Sequence, residues 1–205
     1  AALDALVLPI TAPLPPNPAE LDEAVAILSK AKRPMIWLGN GAKQAGAEAA
    51  RLMALGFGVV TSWNGRGIIP EDHPMSLGAL HGNGSPRVQE FYGSVDAMLV
   101  VGSRLRGHET MDFNMKLPQT LIRVDGDAAA NGRGYASSLF LHGDAALTMA
   151  ALADRLAGKM AIDPGFAADF AALKSRAGQE YRETLGPYQG FPDAVRAALP
   201  RDGVW

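Results

Sequence analysis

Three short sets of residues have the types and spacing to hold a ligand: Gly39-Asn40-Gly41, Gly102-Ser103-Arg104, and the pair Asp125 and Asp127. Each follows a short apolar run. The first set lies in Arg33–Gly46, which reads as a buried strand, a glycine turn and the start of a helix. That order turns backbone N–H groups and a helix N-terminus toward one point, where a phosphate is favoured. Arg104 stands just past an apolar run and suits two-pronged binding of a phosphate. Asp125 and Asp127 offer acceptors for ribose hydroxyls. Each set also has a plainer reading: a tight turn without a ligand, a surface arginine in a salt bridge, and turn chemistry around Gly126.

Complete fingerprints are missing. A dinucleotide turn places its third glycine three residues after the second, whereas Gly46 comes five after Gly41. The acid that holds a ribose at the end of the second strand is replaced by Thr61-Ser62-Trp63. Gly41 to Gly46 has phosphate-loop spacing, but Ala47-Glu48 stands where Lys-Ser/Thr is required. The usual mode of NAD binding is therefore disfavoured. His73, His81, His108 and His142 show no metal-ligand spacing, so structural or turn roles are expected of them. No Gly-x-Ser-x-Gly elbow occurs, and neither does a Gly-Asp-Gly motif with a downstream Asn. No catalytic residue and no metal ligand is assigned.

The elements that must position these residues alternate. Asn17 and Pro18 open a helix, with Glu20 placed to close a capping box, and Leu21, Ala24, Val25, Ile27 and Leu28 form its apolar stripe. A strand over 35–38 follows, then a helix from Lys43 to Leu55 and a strand over 57–61. Residues 62–86 read as a long Gly/Pro/Asn/His-rich loop, a length that in a compact domain marks function or an interface. A short helix over 86–92 leads to strands at 97–101, 121–124 and 139–141, and a helix over 145–156 closes the region. Strands that are continuous apolar runs belong in a parallel sheet covered on both faces. The expected fold is α/β and three-layered, with helices on both sheet faces and a helical C-terminal extension. Its expected parts are a proline-rich linker over 1–18, a domain over 19–157, and a helical extension over 158–205. In the last part Phe166, Phe170, Leu173, Ala177 and Tyr181 fall at helical spacing, as packing rather than a binding face.

Composition narrows the function classes. A net charge of -2 leaves no polybasic surface for nucleic acid. No apolar run approaches the roughly 20 residues that span a bilayer. The cysteine count of 0 removes disulfides and thiol chemistry and fits a cytoplasmic protein. The chain starts at Ala1 and stops at Trp205 as an apolar segment begins, so it reads as a piece of a longer protein.

In order, several stretches resemble the central domain of thiamine-diphosphate-dependent enzymes of the acetolactate synthase and benzoylformate decarboxylase type. They are Leu28–Gly41, Pro70-Glu-Asp-His-Pro74, Leu77–Gly82, Asp96–Arg104, Ile122–Asp127 and Gly143-Asp144-Ala145. The resemblance implies a central Rossmann-like domain over 19–157 with a sheet of about six strands, and a helical linker over 158–205 that starts a truncated cofactor-diphosphate domain. It implies a non-catalytic role: scaffolding the domains that decarboxylate 2-keto acids or ligate the product, and lining a subunit interface in a parent homodimer or homotetramer. Thiamine diphosphate and magnesium would belong to the flanking domains of the parent. The alternative it carries is a nucleotide-binding regulatory module for FAD or ADP, facing Gly39, Asn40, Gly41, Gly102, Ser103, Arg104, Asp125 and Asp127. FAD-binding members have Gly-x-Arg-Phe-Asp-Asp-Arg after the third strand, whereas this chain has Gly102-Ser-Arg-Leu-Arg-Gly-His108. Strand four runs Asp-Gly-Asp where Asp-Ile-Asp is usual. A free-standing NAD-consuming enzyme, such as a deacetylase, is a third option that the lack of cysteine disfavours.

Overall fold

A computed structural model describes residues 12–79, 85–200 and 203. Five parallel strands form one sheet: β1 (Pro34–Leu38), β2 (Gly58–Thr61), β3 (Ala97–Val101), β4 (Leu121–Asp125) and β5 (Leu139–His142), in the order β2-β1-β3-β4-β5. Alternate side chains point to opposite faces, as the pleat dictates. Ile36, Leu38, Val59, Leu99, Val101, Ile122 and Val124 share a core with α1 (Pro18–Leu28), α2 (Gly46–Ala54) and α4 (Ala145–Leu156). Met35, Trp37, Val60, Met98, Val100 and Leu121 face the other way, against α3 (Pro86–Tyr92) and α5 (Phe166–Thr184). This is the expected three-layer arrangement, and it explains why the strands are apolar throughout.

The outer edge of β2 carries a rudimentary sixth strand. Val59 donates to Met75 O at 2.8 Å, Leu77 donates to Val59 O at 2.9 Å and Thr61 donates to Gly78 O at 2.7 Å. Part of the expected long loop thus covers a sheet edge that would otherwise expose unpaired backbone groups. Lys174 on α5 holds the same loop, with Nζ donating to the carbonyls of Glu71 and His73 at 2.7 Å each. Burial pulls its pKa below the ordinary lysine value.

Several local expectations change. The helix expected from Lys43 starts at Gly46, because Asn40–Ala42 forms a separate 3-10 turn. Asn17 caps α1 by accepting from Ala19 N at 2.9 Å. The capping box stays open, since Glu20 Oε2 is buried without a partner. In the C-terminal stripe Phe166, Phe170, Leu173 and Ala177 are buried, but Tyr181 is exposed. A final helix, α6 (Phe191–Ala198), buries none of its residues. The apolar segment that begins at 204–205 lies outside the described residues, as does most of the proline-rich linker.

Arg33 fastens α5 to the sheet. Its guanidinium donates to Asp163 and Asp169 at 2.8 Å each and lies 5.1 Å over the Phe166 ring. A hydrogen bond from Gly165 N, then the pairing with Arg33, hold the Asp163 carboxyl below its ordinary pKa of 3.8. A depressed folded-state pKa stabilises above the unfolded value and loses that contribution as pH falls through the folded one. Asp163→Asn is therefore expected to flatten the fall of stability with pH below about 4. Urea unfolding of both proteins at pH 5 and pH 3 measures it, and equal slopes would refute the assignment.

Candidate functional site

The chain leaves β1 toward β2 on one side and leaves β3 toward β4 on the other, so the connections after β1 and β3 run in opposite directions. Open parallel sheets bind ligands at such a point. Here a cavity of about 470 Å³ is lined by Asn40, Gly41, Ser62, Asn64, Gly102, Ser103, Arg104, Arg106, Glu109 and Asp125. The fold thus gathers six of the eight residues expected from sequence. Gly39 lies beneath the cavity as a packing residue. Asp127 is exposed outside it, with its side chain accepting from Ala129 N at 2.9 Å.

The glycine turn itself is mostly a device for close approach. Gly39 N–H donates to Val101 O at 2.8 Å and Gly41 N–H to Gly102 O at 2.9 Å. The N–H groups of Ala42 and Lys43 are used within the 3-10 turn. These donors do not converge on an anion, and α2 begins too late to add its own. The backbone N–H groups of Asn40, Ser103 and Arg104 have no acceptor among the described residues.

Four lining residues were not anticipated. Ser62 caps the 3-10 turn Trp63–Gly65 that follows β2, its Oγ accepting from Gly65 N at 3.1 Å, and Asn64 lies within that turn. Arg104 and Arg106 both line the cavity, on either side of Leu105, whose backbone is left-handed at φ +46°. Leu105 itself is fully buried in the second core. Glu109 is 4% exposed, on the 3-10 turn Gly107–Glu109. Only its neighbourhood in space marks it.

Arg123 supports the cavity from below. It is 1% exposed on β4, and its guanidinium donates to Arg133 O at 2.9 Å and Ser103 O at 3.1 Å. Burial pulls its pKa below the ordinary value. It ties the loop after β3 to the loop after β4. Arg123→Met is expected to cost about 2 kcal/mol, because two carbonyls lose their donors. Arg123→Lys recovers only part, lacking the planar fork. Denaturant midpoints test the order wild type, lysine, methionine, and equal stability of all three would refute the role.

Three of the four histidines make local contacts. His73 Nδ1 accepts from Met75 N at 3.1 Å, His142 Nε2 lies 3.1 Å from Gly126 O, and His108 packs at 6.1 Å against the Trp63 ring. His81 lies outside the described residues. No group of three His, Asp or Glu among the described residues converges as a metal site. Among the described residues this cavity thus offers no three-ligand cluster for the magnesium that accompanies thiamine diphosphate. No described helix is long and apolar enough to cross a membrane.

Known proteins resemble this chain in sequence and in fold. Over 186 residues the chain is 32% identical to a probable 2-ketoarginine decarboxylase of Pseudomonas aeruginosa, a match covering 89% of this chain and 32% of that protein. It is 34% identical over 134 residues to a putative acetolactate synthase large subunit of Mycobacterium tuberculosis, covering 61% of this chain and 24% of the relative. The chain thus spans about a quarter to a third of these relatives' length. A putative thiamin diphosphate-dependent enzyme of Mycobacterium smegmatis superposes with a TM-score of 0.57 at 21% identity, over 74% of this chain and 30% of that one. At that identity the likeness speaks for the fold alone. The model of the thiamine pyrophosphate enzyme central domain matches residues 21–152, more than half of the chain. The chain therefore belongs to the central-domain family of thiamine pyrophosphate enzymes.

Proposed function

We propose that this chain is the non-catalytic middle of a thiamine-diphosphate-dependent enzyme that decarboxylates 2-keto acids or ligates the resulting carbanion. The match over 21–152 carries this reading. Relatives named as a 2-ketoarginine decarboxylase and an acetolactate synthase support the substrate class. On this reading thiamine diphosphate and magnesium sit on flanking polypeptide in a cytoplasmic homodimer or homotetramer. The chain's own work is to hold those domains, and the 62–86 loop reaches toward their active site. Assay of the 205-residue chain with pyruvate, thiamine diphosphate and Mg²⁺ is expected to give no turnover. Turnover would overturn this division of labour.

A second reading, a regulatory site for ADP or FAD, is favoured by one observation. Arg104, Arg106 and the open N–H groups of Asn40, Ser103 and Arg104 border a single cavity. These donors suit a diphosphate, and Asp125 suits a ribose hydroxyl. Calorimetric titration of ADP into the chain tests it. Arg104→Ala should weaken any affinity roughly tenfold, the loss of a charge-assisted hydrogen bond.

A further inference from the structure

Glu109 is the lining residue that a diphosphate does not explain. It is 96% buried by its 4% exposure, and its carboxylate has no hydrogen bond or ion pair among the described residues. Its oxygens are not sealed from solvent either, so the carboxylate reaches the cavity it lines. A carboxylate held largely out of water is costly until a cation or strong donor meets it. Arg104 and Arg106, exposed on the same cavity, also lack a carboxylate partner among the described residues. The backbone keeps the signs apart. Glu109 N–H donates to Arg106 O at 2.9 Å across the 3-10 turn, and Leu105 between the arginines is anchored in the core. One cavity therefore presents unmatched charges of both signs. Its complement is a molecule that carries both. A diphosphate brings only negative charge to walls that already hold Glu109 and Asp125.

We propose that this cavity binds a small amphoteric carboxylate of the amino-acid class, its cationic group on Glu109 and its carboxylate on Arg104 and Arg106. This competes with the nucleotide reading for one cavity and leaves the family assignment untouched. Titration calorimetry on the 205-residue chain tests it with L-arginine, with agmatine (no carboxylate), with pentanoate (no cation) and with ADP. L-arginine should bind, and both half-ligands should bind at least about tenfold more weakly. Glu109→Gln keeps the shape, removes the charge and should weaken L-arginine at least about tenfold. The same variant should leave the thermal midpoint of the free chain unchanged or higher, since it relieves an unpaired charge. Two results would overturn the proposal. One is ADP binding more tightly than L-arginine and surviving Glu109→Gln. The other is a cooperatively folded chain that takes up no L-arginine at about 10 mM, or takes it up equally well as Glu109→Gln.

Discussion

Gly39→Ala is expected to lower stability by about 3 kcal/mol, which for a domain of this size is a fall of roughly 6–12 °C in thermal midpoint. The reason is contact, not conformation. Gly39 has φ -100°, a value any residue adopts. An added Cβ would lie 2.3 Å from Gly102 O and 2.5 Å from Ser103 Cα. Those atoms are backbone, locked by Gly39 N–H to Val101 O and Gly102 N–H to Val124 O. No rotamer change relieves such a clash, so β1 and β3 must part at their carboxyl ends. Gly102→Ala meets the same crowding from the other side, 2.6 Å from Gly41 Cα, and adds strain because its φ is +59°. Gly126→Ala is the control, since nothing lies within 4 Å of its added methyl and its φ is not positive. Thermal unfolding of the three variants decides the matter. A tolerated Gly39→Ala would mean that the turn yields, and the floor of the cavity with it.

That contact shows what the sequence could and could not tell. Continuous apolar runs such as Met35–Leu38 and Ala97–Val101 name buried parallel strands, because only strands covered on both faces are written that way. The order of strands and helices then places Asn40, Ser103, Arg104 and Asp125 at one end of the sheet. The glycine turn was harder to read. Gly-Asn-Gly after a strand suits an anion cradle and suits close packing of two strands. The choice rests on where Gly102 sits, which is more than sixty residues away in the chain. Glu109 was invisible for the same reason, since a lone acid in a loop has no periodicity. The edge pairing of Met75–Gly78 was hidden by its turn-forming composition, and Arg123 by standing as a charge inside an apolar strand. Tyr181 continues the α5 stripe in period, yet it is exposed.

Phe170→Ala is expected to cost about 4 kcal/mol, a loss large enough to threaten the fold. Phe170 is fully buried and meets Phe91 and Phe166 edge-on at 5.9 and 6.0 Å. Its ring also lies against Gly58, where an added Cβ would come within 2.5 Å of Cε2. Glycine at that point of β2 is therefore the recess that admits the ring. Truncation leaves a cavity that neither a strand nor a helix can close. Tyr181→Ala, on the same helix but exposed, should change stability by less than about 0.5 kcal/mol. The contrast isolates the loss of packing, because alanine raises helix propensity by a similar amount at both sites. The same contacts make residues 166–184 essential to the sheet, wherever the domain boundary is drawn. Trp37, Met35 and Val60 share one core with Phe166, Phe170, Leu173 and Ala177. A chain stopped at Gly158 should lose its cooperative unfolding transition, because that face of β1 and β2 would meet water. A chain ending there that melts as sharply as the full one would show that α5 is an accessory, and that α3 alone covers the second face.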